Sequence, residues 1–136
     1  MKRGQISVEY IIILGVILLA VVILVYFSFS KASQETNLND AENAISTLQS
    51  TLDRIYTLGP GNQEVVKVIF PQGFTSATLS SDSKTIIMKV QGSGGLSDFT
   101  ATAKTTLQLT NFPQTSGIHY ITIKYLDDGT LIELTG

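Results

Sequence analysis

Eighteen consecutive residues, Tyr10–Phe27 (YIIILGVILLAVVILVYF), carry no charge. As a helix rising ~1.5 Å per residue they span ~27 Å, close to the thickness of a bilayer's hydrocarbon core. The whole chain has 136 residues, enough for one domain. If the helix runs unbroken from about Ile6 to Leu58 it is ~80 Å long, a rod that a globular domain of that size does not hold, so the segment sets the terms for everything downstream of it.

Three explanations compete. An ordinary secretory signal peptide has an apolar stretch of ~7–15 residues followed by a small-x-small cleavage site. Ser30-Lys31-Ala32 offers such a site weakly, but the apolar run is too long and Glu9 sits at its edge. A single-pass anchor fits the length, with Lys2 and Arg3 keeping the N-terminus cytoplasmic. The third is a leader cut ahead of the apolar segment, so that the hydrophobic helix stays on the mature protein.

Glu9 separates these explanations. A carboxylate at a membrane helix's centre costs ~2.5–3.5 kcal/mol and less near its end. An anchor gains nothing from it. A subunit that pairs Glu9 with a positive group on a neighbour does gain. Cleavage after Gly4 creates such a group, the α-amine of Gln5, and makes Glu9 the fifth residue of the mature chain.

Lys2-Arg3-Gly4 followed by Gln5-x-Ser7-x-Glu9-Tyr10 and the apolar run resembles the class III signal peptide of archaeal type IV pilins. The likeness covers about the first thirty residues. It implies cleavage between Gly4 and Gln5 by a membrane aspartyl prepilin peptidase. It further implies assembly into a homo-oligomeric helical filament by a pilus assembly ATPase and a membrane platform protein. The precursor would sit in the cell membrane and the assembled adhesion pilus outside the cell. Archaellins and minor pilins share this leader logic, and a monomeric membrane-anchored surface protein would keep its leader.

Beyond Ser30 the chain turns polar, with no helix breaker before Gly59-Pro60-Gly61. Leu38, Ala41, Ile45, Leu48, Leu52 and Ile55 recur at steps of three and four, the stripe of an amphipathic helix. The stripe is expected to pack on a sheet of the same chain, because the β region that follows lacks the mass to close a core unaided.

From Asn62 the period changes to two. Strands are expected at Glu64–Phe70, Phe74–Leu79, Lys84–Val90 and Phe99–Leu109, with Gln91–Gly95 a flexible turn. The last two, Ile118–Leu126 and Thr130–Thr135, flank Asp127-Asp128-Gly129. A two-residue type I′ turn at Asp128-Gly129 sets Lys124 opposite Glu133, Tyr125 opposite Ile132 and Ile123 opposite Leu134. The expected fold is α+β: a long hydrophobic then amphipathic helix and a small antiparallel β-sheet head, pilin-like in outline. The divisions are a leader at 1–4, a filament-core helix at 5–30, an amphipathic helix with its breaker at 31–61 and a head at 62–136.

Composition narrows the chemistry. The chain is 43% hydrophobic and 15% charged, with a net charge of -2, which excludes disorder. Nine Lys and Arg against eleven Asp and Glu argue against a nucleic-acid partner. Without Cys there is no disulfide, zinc-thiolate site or thiol nucleophile. His119, the one histidine, falls in an expected strand and reads as a packed or edge residue. Asp127-Asp128 reads as turn chemistry before calcium binding. No enzyme activity, metal or cofactor is expected.

Overall fold

The computed structural model describes residues 2–92 and 94–136, with the side chains of 8–29, 37–92 and 94–136. Helix α1 takes in Lys2–Leu58. Among the described residues seven strands follow: β1 (Gln63–Phe70), β2 (Phe74–Leu79), β3 (Thr85–Gly92), β4 (Gly95–Thr102), β5 (Thr106–Thr110), β6 (Gly117–Tyr125) and β7 (Leu131–Thr135). The chain divides into two compact units, Met1–Glu35 and Thr36–Gly136. The first is helical. The second, the head, contains the later part of α1 and all seven strands. The fold is α+β and pilin-like.

Within the head, α1 presents a stripe to the sheets. Ala41, Ile45, Leu48, Leu52 and Ile55 are buried, as their spacing predicts. Leu38 is not; it stays 38% exposed at the edge of the unit. Ala44 and Thr51 widen the buried stripe. The Thr51 hydroxyl is tolerated there because it donates back to the Thr47 carbonyl at 2.9 Å.

The helix stops at Gly59-Pro60-Gly61 for identifiable reasons. Gly59 adopts φ +91°, the left-handed conformation that only glycine enters without strain. Its N–H caps the carbonyls of Ile55 and Tyr56 at 3.2 and 3.3 Å. Pro60 then has no N–H with which to continue. The Asn62 side chain donates to the carbonyls of Leu58 and Gly59, both at 3.0 Å. Gly61, at φ +87°, starts the sheet with a bulge. Its N–H bonds the Tyr125 carbonyl at 2.9 Å, while the Tyr125 N–H bonds the Asn62 carbonyl at 2.9 Å.

The strands form two sheets, one in the order β1-β6-β7-β5 and one in the order β2-β3-β4. All pairs are antiparallel except β5 with β7, which is parallel. The expected single strand Phe99–Leu109 is therefore two. At Ala103–Thr105 the chain crosses from one sheet to the other, held by hydrogen bonds from Ala103 N–H to Lys84 O (2.8 Å) and Leu107 N–H to Ser83 O (2.6 Å). The alternation runs on across the crossing, so Ala101, Ala103 and Leu107 are all buried. The expected turn at Gln91–Gly95 is shorter than its composition implies, because β3 and β4 extend into it and Gly92 pairs with Gly95.

The last hairpin keeps its predicted register: Ile123 faces Leu134, Lys124 faces Glu133 and Tyr125 faces Ile132. Its turn is not type I′, which needs positive φ at both central residues; Gly129 has φ +68° and Asp128 does not share it. Gly129 N–H bonds Leu126 O at 3.0 Å and Leu126 N–H bonds Leu131 O at 3.1 Å. The Asp128 carboxylate drives this wider loop by accepting from the Thr130 N–H at 3.0 Å and hydroxyl at 2.8 Å.

One core joins the helix stripe to the inner faces of both sheets, with Phe70, Ile86, Met88, Ile121, Ile123, Ile132 and Leu134 fully buried. Polar contacts fix the helix to each sheet. Arg54 makes a two-pronged ion pair with Glu64 of β1. Gln49 pairs with the backbone of Thr102 in β4.

Candidate functional site

The chemistry-bearing part of the chain is its N-terminal helix. Val8–Phe29, 22 residues, is long and apolar enough to cross a membrane, and an 18-residue window within it reaches a mean hydropathy of 3.1. Every large apolar side chain in this stretch is 46–73% exposed. The residues themselves account for the helix: long runs of Ile, Leu and Val with one glycine, Gly15, and no proline. Apolar side chains surround the helix on all faces, which is the pattern of a segment meant to be enclosed by lipid or by other helices.

Polar groups are confined to the ends of the stretch. Ser28 returns its hydroxyl to the Leu24 carbonyl at 2.9 Å, so the backbone satisfies it without an outside partner. Tyr26 and Phe27 meet edge to face, with ring centroids 6.2 Å apart. At the other end Glu9 and Tyr10 are both exposed, Tyr10 by 68%. Glu9 follows Gln5 by four positions on α1, about one helical turn. The side chains of Lys2, Arg3, Gln5 and Ser7 lie outside the described residues, and the expected cleavage position, Gly4–Gln5, falls within the backbone of α1.

Residues 2–27 match the family model of the class III signal peptide. The chain carries a class III signal peptide. This makes it a pilin-like or archaellin-like surface subunit, made as a membrane-anchored precursor, processed by a prepilin peptidase and assembled at the membrane. No curated protein and no solved structure matches the pilin-like chain.

Three titratable residues of the head have structural partners. His119 is half-buried on β6, its ring 5.4 Å from that of Phe70 and its Nε2 2.9 Å from the Thr115 carbonyl oxygen. Asp128 organises the last hairpin, and the Thr130 N–H and hydroxyl hold its carboxyl below the ordinary carboxylate value. Asp82 does the same at the β2–β3 turn, where the Ser80 hydroxyl and the Lys84 N–H lower it. Two side chains with structural weight, Gln49 and Gln114, give no signal in the sequence. Each bonds the backbone of a strand distant in the chain, and nothing local distinguishes them from solvated glutamines.

Proposed function

We propose that this chain is the precursor of an archaeal type IV adhesion pilin, a structural subunit and not an enzyme. The leader Met1–Gly4 is removed, Gln5 begins the mature chain, and Val8–Phe29 holds the subunit in the membrane until it enters the filament. There the same segments from many copies enclose one another and the β head faces outward. The observation that carries the reading is the apolar surface of Val8–Phe29, exposed on every side and lying largely within the class III signal match at residues 2–27. Water does not tolerate that surface, and each Å² withdrawn contributes about 25 cal/mol. A filament built this way holds together without disulfides. Glu9, paired with a neighbour's Gln5 amine, sets the register between subunits.

Intact mass of protein from filaments purified from the native source tests the reading. A chain beginning at Gln5 is expected. A mass that retains Met1–Gly4 would sink it, and a start near Ser33 would mark an ordinary secretory signal. Filaments that rotate would make the subunit an archaellin.

A further inference from the structure

Four exposed apolar side chains stand together on the outer face of the β1–β6 pair. Val65 and Ile69 flank Lys67 along β1, and Ile118 and Tyr120 lie on β6. In register, Ile69 faces Ile118 and Lys67 faces Tyr120. The four are 49–64% exposed. The other exposed large apolar side chains of the head, Leu38, Tyr56, Leu58 and Leu96, lie on other elements.

The same strand is an open edge. The edge strands are β1 and β5 of one sheet and β2 and β4 of the other. β2 and β5 lie against each other, and Gln114 clips β2: its Oε1 accepts from Ala77 N–H at 3.0 Å and its Nε2 donates to Ala77 O at 3.2 Å. Gln49 clips β4 at Thr102 in the same way. Among the described residues no side chain bonds the free edge of β1. The Tyr125–Asn62 bond sets the phase of the ladder. Glu64, Val66, Val68 and Phe70 exchange hydrogen bonds with β6, so Val65, Lys67 and Ile69 turn their N–H and C=O outward. A groove lined by Asp40, Asn43, Thr47, Lys67 and Ile69 runs between this edge and α1.

We infer that the β1 edge and the outer face of β1–β6 dock onto a second copy of this chain inside the filament. The inference rests on the filament reading, which sets copies side by side through Val8–Phe29. Area favours the same occupant. Stable free-standing interfaces bury about 1,200–2,000 Å², more than four side chains and a strand edge supply. Such a surface is too weak to join heads drifting in a membrane. It becomes sufficient once packed helices hold two heads at an effective concentration of about millimolar. An open helical array uses heterologous contacts, so β1 of one copy meets a different surface of the next.

The chain has no cysteine, so single substitutions report individually. Ile69→Cys and Tyr120→Cys should react with a maleimide at least tenfold more slowly in filaments than in detergent-dispersed chain. Thr100→Cys, exposed on β4, should react equally in both. Wild-type filaments offer a readout without substitution: hydrogen exchange at the Lys67 and Ile69 amides should slow on assembly. Filaments in which both cysteines react freely and both amides exchange as in the dispersed chain would overturn the inference alone, leaving the patch open to an outside partner. A chain that forms no filaments would overturn the filament reading and this inference together.

Discussion

Gln49 and Thr102 are joined by two hydrogen bonds across 53 positions of sequence. The Thr102 N–H donates to Oε1 at 2.7 Å, and Nε2 donates to the Thr102 carbonyl at 2.8 Å. The side-chain amide occupies the place of a neighbouring strand, so it both fastens α1 to the head and closes the end of β4. Gln49→Ala should destabilise the head by about 1–3 kcal/mol, two ordinary hydrogen bonds. Gln49→Glu should recover little, because a carboxylate accepts from the N–H but repels the carbonyl. Thermal unfolding of the detergent-dispersed chain measures both.

Burial along α1 predicts a steep contrast within one stripe. Leu48 is 1% exposed and Leu38 is 38%. Leu48→Ala should cost about 2–5 kcal/mol, transfer plus cavity, whereas Leu38→Ala should cost under about 0.5 kcal/mol, as surface changes do. Equal losses in denaturant unfolding would show that Leu38 is enclosed after all.

Acid should loosen the turns. The carboxyls of Asp82 and Asp128 are held below the ordinary value by hydrogen bonds to their charged forms. Folded values depressed in this way give stability that is fully present above the unfolded pKa and lost as pH falls through the folded one. The double variant Asp82→Asn, Asp128→Asn should therefore melt below wild type at neutral pH and converge with it in strong acid. A constant gap across the titration would contradict this.

Glu9→Gln tests the proposed register lock. The variant keeps shape and hydrogen bonding but loses charge. It should be cleaved and inserted normally, since a neutral side chain is easier to bury. Filament yield should collapse, because leaving one member of a low-dielectric pair uncompensated costs about 3–5 kcal/mol. Microscopy against an immunoblot of processed membrane protein reads the outcome, and normal filaments would remove Glu9 from that role.

What was legible in the sequence had a local or periodic cause. The apolar run and the signal motif are contiguous, so the class III signal reads directly from residues 2–27. The β6–β7 register reads correctly because inward and outward faces alternate from Ile123 to Leu134. The turn type does not, because the wider loop depends on Asp128 bonding Thr130, and either loop serves the same register. The Phe99–Leu109 segment hides its crossing because alternation persists through Ala103 while the sheet changes. The parallel pairing of β5 with β7 and the two glutamine clips join residues far apart in the chain, where periodicity carries no information.

The position of β7 has a consequence for the order of folding. It is the last strand in sequence yet sits between β6 and β5 in its sheet. A chain that stops before Leu131 leaves β6 and β5 without the strand that joins them, and the core without Ile132 and Leu134. The β6–β7 pairing is local in sequence and the β5–β7 pairing is not, so β5 gains its place in the sheet only once β7 has docked on β6.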